Sequence, residues 1–345
     1  MKTKNFFRAV SLLSCILFLL PSCARTQRYS ETYLDYFDTV TSFTVCGVSK
    51  KEADAANYTL QDELERYHQL FDIYNEYDGI ANLKDINDNA GIAPVCVDSE
   101  LIELLEYCVS VHDMTSGYVN IAMGSVLMLW HTCREEARSA PDSARIPDEA
   151  LLREAAAHTN ISSINIDKNK NEVYISDKHT SIDVGAVGKG YAAQRIAEKL
   201  KACGYKDFIL NIGGNVIASG SKSNDNPWKV GIENPSDTTK TLCSLSLTDK
   251  VLVSSGSYQR YYTVDGKRYH HIIDPFTLMP QNTYLSVSVV CDDSALADAM
   301  STALFNMPYS VGYELVSNTD GLEAMWVTQS GECLYSENFQ SYITD

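Results

Sequence analysis

Apolar residues recur along the chain with two different periods. Spacings of three and four residues, typical of one helix face, predict helices over residues 51–74, 101–112, 151–158, 188–203 and 294–305. Short runs rich in β-branched residues predict strands, first at TVTSFTVCGV and then, after residue 162, at INID, EVYIS, FILNI, WKVGI, VLVSS, YHHIID and LSVSVV. Because single helices alternate irregularly with runs of strands, the pattern predicts an α+β fold and not a repeated strand-helix-strand unit.

The N-terminal stretch has a different pattern, with a basic start, one apolar run and Leu20-Pro21-Ser22-Cys23 at its end. This is typical of an export signal, and the run is too short for a comfortable transmembrane helix. The small residue before Cys23 favours a bacterial lipoprotein lipidated on Cys23, with an ordinary cleaved signal peptide as the alternative. We therefore expect a signal peptide over residues 1–22, a linker over 23–30 and one folded domain over 31–345. The protein would be exported and lipid-anchored at the extracytoplasmic face of a bacterial membrane.

Composition narrows the range of partners. The chain has 345 residues, 45% of them apolar, which suits one large domain or two interlocked subdomains. With 45 acidic and 28 basic residues the formal charge is −17, which argues against a nucleic-acid partner. Eight of the ten cysteines lie beyond Cys23, none in a CxxC pair, and we expect mainly free thiols. An anionic ligand would need local help from backbone amides, a metal ion or a placed lysine.

A glycine-rich stretch, IDVGAVGKGYAAQRIAEKL, lies between a predicted strand and a predicted helix. Gly185, Gly188 and Gly190 permit a tight turn and close approach of a ligand to the backbone. The helix N-terminus offers free N–H groups, and Lys189 adds a positive charge. The spacing matches neither a Walker loop nor a dinucleotide fingerprint. By itself the stretch leaves open a phosphate site or a simple strand-to-helix turn.

Asp298 and Thr302 are four residues apart in LADAMSTALFNM and share one face of a predicted helix. A carboxylate and a hydroxyl at this spacing can both reach Mg²⁺, whose shell phosphates often complete. The alternative is structural, with the aspartate favoured by the helix dipole and the threonine bonded to its own backbone. The spacing alone does not decide between them.

Two more segments carry candidate chemistry. In NIGGNVIASG, Gly213 and Gly214 directly follow a predicted strand, and in YHHIIDP a pair of histidines precedes Asp274. A histidine at a strand end can act as a general base because its pKa lies near working pH, although a structural role is the alternative. The adjacent histidines His270 and His271 should point to opposite faces of the strand, so at most one of them faces a common site.

In combination these segments resemble a known family. DVGAVGKGYA, NIGGN, WKVGIENP, SSGSYQRYY, HIIDP and ALADAMSTALF follow the order and approximate spacing of the FAD:protein FMN transferases, the ApbE family of exported flavin-handling lipoproteins. The resemblance implies a T-fold-like architecture of two interwoven α/β subdomains, with mainly antiparallel sheets and packed helices. It also implies bound FAD and Mg²⁺. The implied reaction cleaves the FAD pyrophosphate, releases AMP and attaches FMN by a phosphoester to Thr or Ser of an acceptor, a flavoprotein subunit of a membrane redox complex.

The resemblance also implies roles for single residues. Asp298, Thr302 and the backbone carbonyl of Ala186 would hold the metal, and His271, rather than His270, would be the base. The residues expected to contact FAD are Phe37, Tyr74, Val119, Asn120, Asp183, Lys189, Gly213, Gly214 and Ile272.

The sequence departs from the family pattern at two places. Phe37-Asp38-Thr39 replaces an early Met-Gly-Thr, and Asn120 replaces a usual aspartate. Both are expected beside the isoalloxazine and ribityl groups. Two other functions remain open: Mg²⁺-dependent hydrolysis of FAD to FMN and AMP, and non-catalytic flavin binding by a lipoprotein.

Overall fold

The computed structural model describes residues 27–222 and 226–344. The predicted signal peptide and the predicted lipidation site at Cys23 lie outside these residues. The first strand begins at Arg28, so the last three residues of the predicted linker belong to a strand and not to a linker.

The sheets of the described residues are antiparallel, as the fold prediction requires. The largest has eight strands in the order β1 (Arg28–Tyr36), β2 (Thr39–Cys46), β6 (Phe208–Ile212), β7 (Asn215–Ser219), β10 (Lys250–Gly256), β13 (Tyr284–Cys291), β14 (Glu323–Thr328) and β15 (Cys333–Tyr335). The smaller sheets are β16 (Ile343–Thr344), β9 (Thr241–Leu247) and β8 (Trp228–Glu233); β3 (Val95–Cys96), β5 (Glu172–Ile175) and β4 (Ile164–Asp167); and the hairpin of β11 (Tyr261–Val264) and β12 (Lys267–His270).

Eight α-helices occur in the described residues: α1 (Lys50–Phe71), α2 (Leu83–Asp88), α3 (Ser99–Met114), α4 (Gly124–Ser139), α5 (Glu149–Ala156), α6 (Gly188–Ala202), α7 (Ser294–Asn306) and α8 (Tyr309–Ser317). Side-chain hydrogen bonds to the backbone determine where several of these helices begin. The Ser49 side chain accepts a hydrogen bond from the Glu52 N–H, and Glu52 accepts one from the Ser49 N–H, so a capping box begins α1. Asp148 caps α5 at the loop SARIPDEA.

The two faces of the eight-stranded sheet are covered differently. Helices α1, α6 and α7 pack on one face and bury side chains such as Leu60, Ile196 and Met300. The three-stranded sheet of β8, β9 and β16 covers the other face, where Trp228, Leu245 and Val290 belong to a separate core. Burial on both faces explains why β7 and β13 lack the apolar-polar alternation of a half-exposed strand.

A second unit is built from two distant parts of the chain. Helices α4 and α5 lie between β2 and β6 in sequence, and the hairpin of β11 and β12 comes much later, yet they share one small core. Trp130 of α4 stacks on Tyr269 of β12, with ring centroids 5.9 Å apart. This is the interweaving that the family resemblance implied.

Several local predictions need correction. The strand expected to end at Asp183, before the glycine-rich loop, does not form, because the Ile182 backbone bonds to the Asn87 side chain at both its N–H and its carbonyl. Helix α4 was not predicted, although Val126, Trp130, Cys133 and Ala137 follow helical spacing. The eight cysteines from position 46 onward are free thiols, as expected. Within residues 27–222 and 226–344, no helix is long and apolar enough to cross a bilayer.

Candidate active site

One cavity of about 440 Å³ lies between the main sheet, helices α6 and α7, and the second unit. A volume of this size is typical of a small-molecule site. The cavity brings together every predicted site residue of the described chain except Gly214: Phe37, Tyr74, Val119, Asn120, Asp183, Ala186, Lys189, Gly213, His271, Ile272, Asp298 and Thr302. They come from distant parts of the sequence, since Thr302 lies 265 positions after Phe37.

The glycine-rich loop is held by its own carboxylate. Asp183 Oδ1 accepts a hydrogen bond from the Gly185 N–H at 2.7 Å, and the Asp183 N–H donates to the Ile121 carbonyl. Burial raises the pKa of Asp183, while the Gly185 N–H and Lys189 oppose this shift. Helix α6 then begins at Gly188, so Lys189 stands in its first turn.

The N-terminus of α6 meets α7 at Asp298. The Gly190 N–H donates to Asp298 Oδ2 at 2.8 Å, and Lys189 Nζ lies 3.7 Å from the same oxygen. A Cβ on Gly190 would stand 2.2 Å from the Ser294 carbonyl oxygen and 2.4 Å from Asp298 Cβ. Only glycine permits this approach of the two helices. One of the free N–H groups of the α6 N-terminus is therefore already paired with a carboxylate.

The surroundings of Asp298 argue against a purely structural role, in which the helix dipole would favour the aspartate and Thr302 would bond to its own backbone. Asp293 caps α7, so Asp298 lies in the second turn, beyond the free N–H groups of the first turn. The Thr302 side chain forms no hydrogen bond to any described residue, so its hydroxyl is not bonded back to its own helix. Asp298 is only 4% exposed, and this burial raises its pKa, with Lys189 opposing the shift.

This donor set fits Mg²⁺. The cavity offers the Asp298 carboxylate and the Thr302 hydroxyl on one helix face and the loop residue Ala186 nearby, all oxygen donors of the kind that Mg²⁺ prefers. Within residues 27–222 and 226–344 no cluster of three or more His, Cys, Asp and Glu side chains could hold a metal by itself. A cation here would therefore rely on one carboxylate, neutral oxygens and the oxygens of a ligand.

The two histidines differ in how their ring nitrogens are used. His270 is 3% exposed; its Nδ1 accepts from the Ile272 N–H at 3.2 Å, so its Nε2 carries the proton donated to the Gln281 carbonyl at 2.6 Å. His271 Nδ1 lies 3.3 Å from the Arg260 carbonyl, which leaves Nε2 without a partner among the described residues. Burial, with Arg260 adding to it, lowers the pKa of His271 to about 3, so the ring is neutral.

The expectation that only one of these histidines faces the site is wrong. Both line the cavity. Strand β12 ends at His270, so the alternation of strand side chains does not extend to His271. The distinction between them comes from hydrogen bonding instead, because His270 has both nitrogens paired and His271 has one available.

Aromatic side chains form another part of the cavity lining. Tyr74, 48% exposed, lies with its ring centroid 5.3 Å from that of His131 at an interplanar angle of 31°. Phe37 has φ +55° in the turn between β1 and β2, and its ring meets His68 edge to face. Asn120 is held at both ends of its amide, donating to the Thr159 carbonyl and accepting from the Ala122 N–H. His131 and Arg134 also line the cavity; neither was predicted as a site residue, because α4 was not predicted.

The glycine pair forms the turn between β6 and β7. Gly213 has φ +56°, and a Cβ there would lie 2.4 Å from Thr39 Oγ1. Gly214 has φ +97°, and its N–H donates to Asn211 Oδ1. Gly213 lines the cavity whereas Gly214 does not, so the structure places only the first at the site.

The fold and the cavity together define an α+β protein with a cavity of the size and mixed polar and aromatic lining that are typical of enzyme active sites. The sequence profile described as the ApbE family matches residues 37–326. The chain is 30% identical to the FAD:protein FMN transferase of Treponema pallidum, over 95% of this chain and 92% of that protein. It is 24% identical to the Escherichia coli K12 protein of the same name, over 98% of this chain and 97% of that protein.

Solved structures agree with these sequence matches. The ApbE protein of Thermotoga maritima superposes with a TM-score of 0.80 at 27% identity, covering 92% of this chain and all of that chain. The flavin transferase ApbE of Vibrio cholerae has a TM-score of 0.76 at 21% identity, covering 92% of this chain and 99% of that one, a likeness of fold. The chain belongs to the ApbE family.

Proposed function

We propose that this protein is a FAD:protein FMN transferase, which cleaves the pyrophosphate of FAD, releases AMP and attaches FMN by a phosphoester bond to a Thr or Ser of an acceptor protein. The observation that carries the proposal is the placement of Lys189, Asp298 and His271 around one cavity. Membership of the ApbE family and the names of the relatives support it.

Lys189 and the first turn of α6 would bind the phosphates of FAD. Transfer of a phosphoryl group depends mainly on positioning and on stabilising negative charge at the phosphoryl oxygens. Lys189 Nζ also donates to the Gly185 carbonyl at 3.3 Å, which holds the ammonium group above the loop. A positive charge fixed at a helix N-terminus suits an anionic ligand.

His271 would act as the general base. Its free Nε2 accepts the proton of the acceptor hydroxyl while that oxygen bonds to the phosphorus of the FMN half. The bond between this phosphorus and the bridging oxygen breaks, and AMP leaves with that oxygen. Burial and Arg260 lower the pKa of His271. Phosphate charges nearby favour the protonated ring and so raise the basicity of Nε2.

We include Mg²⁺ in the proposal because the oxygen donors of the cavity fit it. Asp298, Thr302 and the Ala186 carbonyl would hold the ion. When bound, Mg²⁺ would neutralise part of the negative charge on the phosphates of FAD. Asp298 also has a structural role, because its carboxylate accepts the Gly190 N–H and lies beside the Lys189 ammonium group.

One assay tests the proposed function. The protein is incubated with FAD, Mg²⁺ and a flavoprotein subunit of a membrane redox complex, beside the same subunit with its acceptor Thr changed to Ala. Covalent FMN on the first subunit only, with one AMP released per FMN attached, is the expected result. Free FMN and AMP without labelling would make the protein an FAD hydrolase, and unchanged FAD would leave only flavin binding.

We also propose export and lipid anchoring, supported by the pattern that ends at Cys23. Acyl chains on Cys23 would be the membrane anchor, which places the acceptor at the extracytoplasmic side of the membrane. Cys23→Ala is expected to release the protein from the membrane fraction into the soluble exported fraction. Unchanged fractionation with membranes would remove Cys23 as the anchor.

A further inference from the structure

The hairpin of β11 and β12 carries positive charge in an acidic protein. Residues 260–268 contain three cations, Arg260, Lys267 and Arg268, and one carboxylate, Asp265, whereas the whole chain has a formal charge of −17. The three cationic residues are exposed, and none of them forms an ion pair with a carboxylate within residues 27–222 and 226–344. Their charge is therefore available to a partner molecule.

Aromatic rings, and not carboxylates, hold two of these cations in place. Arg268 Cζ lies 4.7 Å from the centroid of the Tyr261 ring. Lys267 Nζ lies 5.1 Å from the centroid of the Tyr269 ring. A contact with a neutral ring restricts a cation without cancelling its charge. The hairpin therefore presents positive charge at ordered positions.

The two faces of the hairpin have different surroundings. Tyr262 and Tyr269 pack on α4 in the small core of the second unit. Because side chains alternate along a strand, the strand register places Tyr261, Thr263 and Arg268 on the opposite face. All three are exposed there, Tyr261 to 40%. This face combines an aromatic ring with an arginine, two residue types that are enriched in protein interfaces.

The hairpin leads directly to the proposed base. The His271 N–H donates to the Arg260 carbonyl at 3.1 Å, so the two strands meet beside this histidine. Arg260 lines the cavity, and its Nη2 donates to the Asp38 carbonyl at 2.9 Å. Arg268 precedes His271 by three positions, at most about 10 Å of extended chain. A molecule that covers the exposed face of the hairpin therefore lies next to the base.

We propose that the hairpin of β11 and β12 is the docking surface for the acceptor protein, and that it binds an acidic segment of the acceptor beside the Thr or Ser that receives FMN. The inference deepens the proposed function and rests on it for the identity of the partner. Carboxylates of such a segment complement the charge of Lys267 and Arg268. A second copy of this chain suits the surface less, because it would stand where the acceptor hydroxyl approaches His271 Nε2.

The test measures acceptor binding without transfer. The full chain, purified in detergent, is titrated with the acceptor subunit whose acceptor Thr is changed to Ala, at about 50 mM and about 300 mM salt. The hairpin variant combines Lys267→Gln with Arg268→Gln, and Arg260 is left intact because it lines the cavity. A second form of the acceptor subunit has Asn and Gln in place of the Asp and Glu residues beside its acceptor position.

The matched control combines Lys51→Gln with Lys201→Gln and removes the same amount of charge. Both are exposed lysines without an ion pair to any described residue. They stand at the far ends of α1 and α6, about 30 Å and about 18 Å along these helices from the cavity residues Phe71 and Lys189. Loss of charge alone would therefore affect both double variants equally.

The hairpin variant is expected to bind the acceptor about two- to thirtyfold more weakly at low salt, the range for two exposed charge interactions, with a smaller difference at high salt. The control variant should bind it like the wild type. Replacing the acceptor carboxylates should weaken binding to the wild type but not further to the hairpin variant. In the transfer assay the KM for the acceptor should rise, while kcat and FAD binding stay within about twofold.

Three results would overturn the inference: unchanged acceptor affinity in the hairpin variant, equal losses in the hairpin and control variants, and acceptor changes that weaken binding to wild type and hairpin variant alike. Two further measurements identify another occupant. A wild-type dimer that becomes a monomer in the hairpin variant, by sedimentation velocity, would assign the surface to a second copy. Weaker binding of the variant to phosphatidylglycerol vesicles, with unchanged acceptor affinity, would assign it to a lipid surface.

The outcome is separable from that of the proposed function, because binding is measured with an acceptor that cannot be labelled. Acceptor binding that depends on the hairpin, in a protein that never labels the intact acceptor, keeps the docking surface and removes the transferase function. Labelling of the acceptor with an affinity that the hairpin variant leaves unchanged removes only the docking surface.

Discussion

Two parts of the cavity are built in different ways. We call Lys189 and Asp298, with Gly190 behind them, the phosphate end, and Phe37, Tyr74 and His131 the aromatic end. The phosphate end is made where two helices touch, and Gly190, Asp298 and Lys189 are fixed by backbone contacts and burial. The aromatic end is made of side chains on a turn, a loop and α4, and Tyr74 is half exposed where Asp298 is buried. A rigid backbone suits the placement of charge around a reacting phosphate, whereas a side-chain platform suits ring binding.

Among the variants that test this comparison, Asp298→Ala is expected to have the largest effect on activity. Asp298→Ala should abolish AMP release at low millimolar Mg²⁺, because the remaining hydroxyl and carbonyl oxygens bind Mg²⁺ poorly without a charged partner. The fold should persist with a loss of about 1–3 kcal/mol in the free energy of unfolding, because the Gly190 N–H loses its acceptor, whereas Lys189 is part exposed and can turn to water. Chromatography measures AMP release, and circular dichroism checks that the variant is folded. Asp292→Ala is the control, because Asp292 is an exposed aspartate. Wild-type turnover in Asp298→Ala would return Asp298 to a structural role.

His271→Ala should be next in size. A positioned general base contributes about 10²- to 10⁴-fold in rate, so covalent transfer should fall by that factor. FAD binding should persist, because it depends on Lys189, the metal and backbone contacts. Titration with FAD and an acceptor-labelling assay separate the two. Lost FAD binding in His271→Ala would remove this residue from the catalytic role.

His270→Ala is the natural partner of that experiment, but the structure changes what it should do. The family resemblance assigns the role of base to His271 and none to His270, which by itself predicts little effect of His270→Ala. His270 is buried and pairs with the Gln281 carbonyl and the Ile272 N–H, so the variant leaves two groups unpaired. We expect a loss of about 1–3 kcal/mol in the free energy of unfolding, with transfer per folded molecule nearly unchanged. Denaturant titration measures the first quantity.

Gly190→Ala tests whether α6 and α7 are packed too closely at the phosphate end to accept a Cβ at Gly190. Alanine favours a helix over glycine by about 1 kcal/mol, so helix propensity alone predicts stabilisation. The contacts of 2.2 and 2.4 Å predict the opposite, a net loss of about 1–3 kcal/mol as α6 and α7 move apart. Denaturant unfolding measures the change in the free energy of unfolding, and its sign distinguishes the two expectations. A stabilised Gly190→Ala would mean that α6 and α7 can move apart at little cost in free energy.

Tyr74→Ala should have the smallest effect, about tenfold weaker FAD binding from the loss of an aromatic contact. Tyr74→Phe should bind within about twofold of the wild type, because the phenol makes no hydrogen bond to a described residue. Titration with FAD measures both. A larger loss in Tyr74→Phe than in Tyr74→Ala would show that the hydroxyl, and not the ring, contacts the ligand.

The phosphate end was largely predictable because its signals are local. Asp298 and Thr302 follow helical spacing, and the glycine-rich loop adjoins the helix that it starts. The aromatic end was predictable only in part, through Tyr74 and Phe37. His131 and Arg134 follow a helical pattern in α4, but nothing local shows that this helix reaches the cavity.

The sequence by itself determined which segments become helices and strands, because apolar periodicity, caps and glycine turns act between neighbouring residues. It also determined the donor set on one face of α7. The tertiary structure alone decided that Gly190 bonds to a carboxylate 108 positions away, that Asn87 holds residues 182–184 out of a strand, and that His270 is fully paired while His271 is not. These contacts depend on the order of strands in the sheet and on how helices pack across it, which no local pattern encodes.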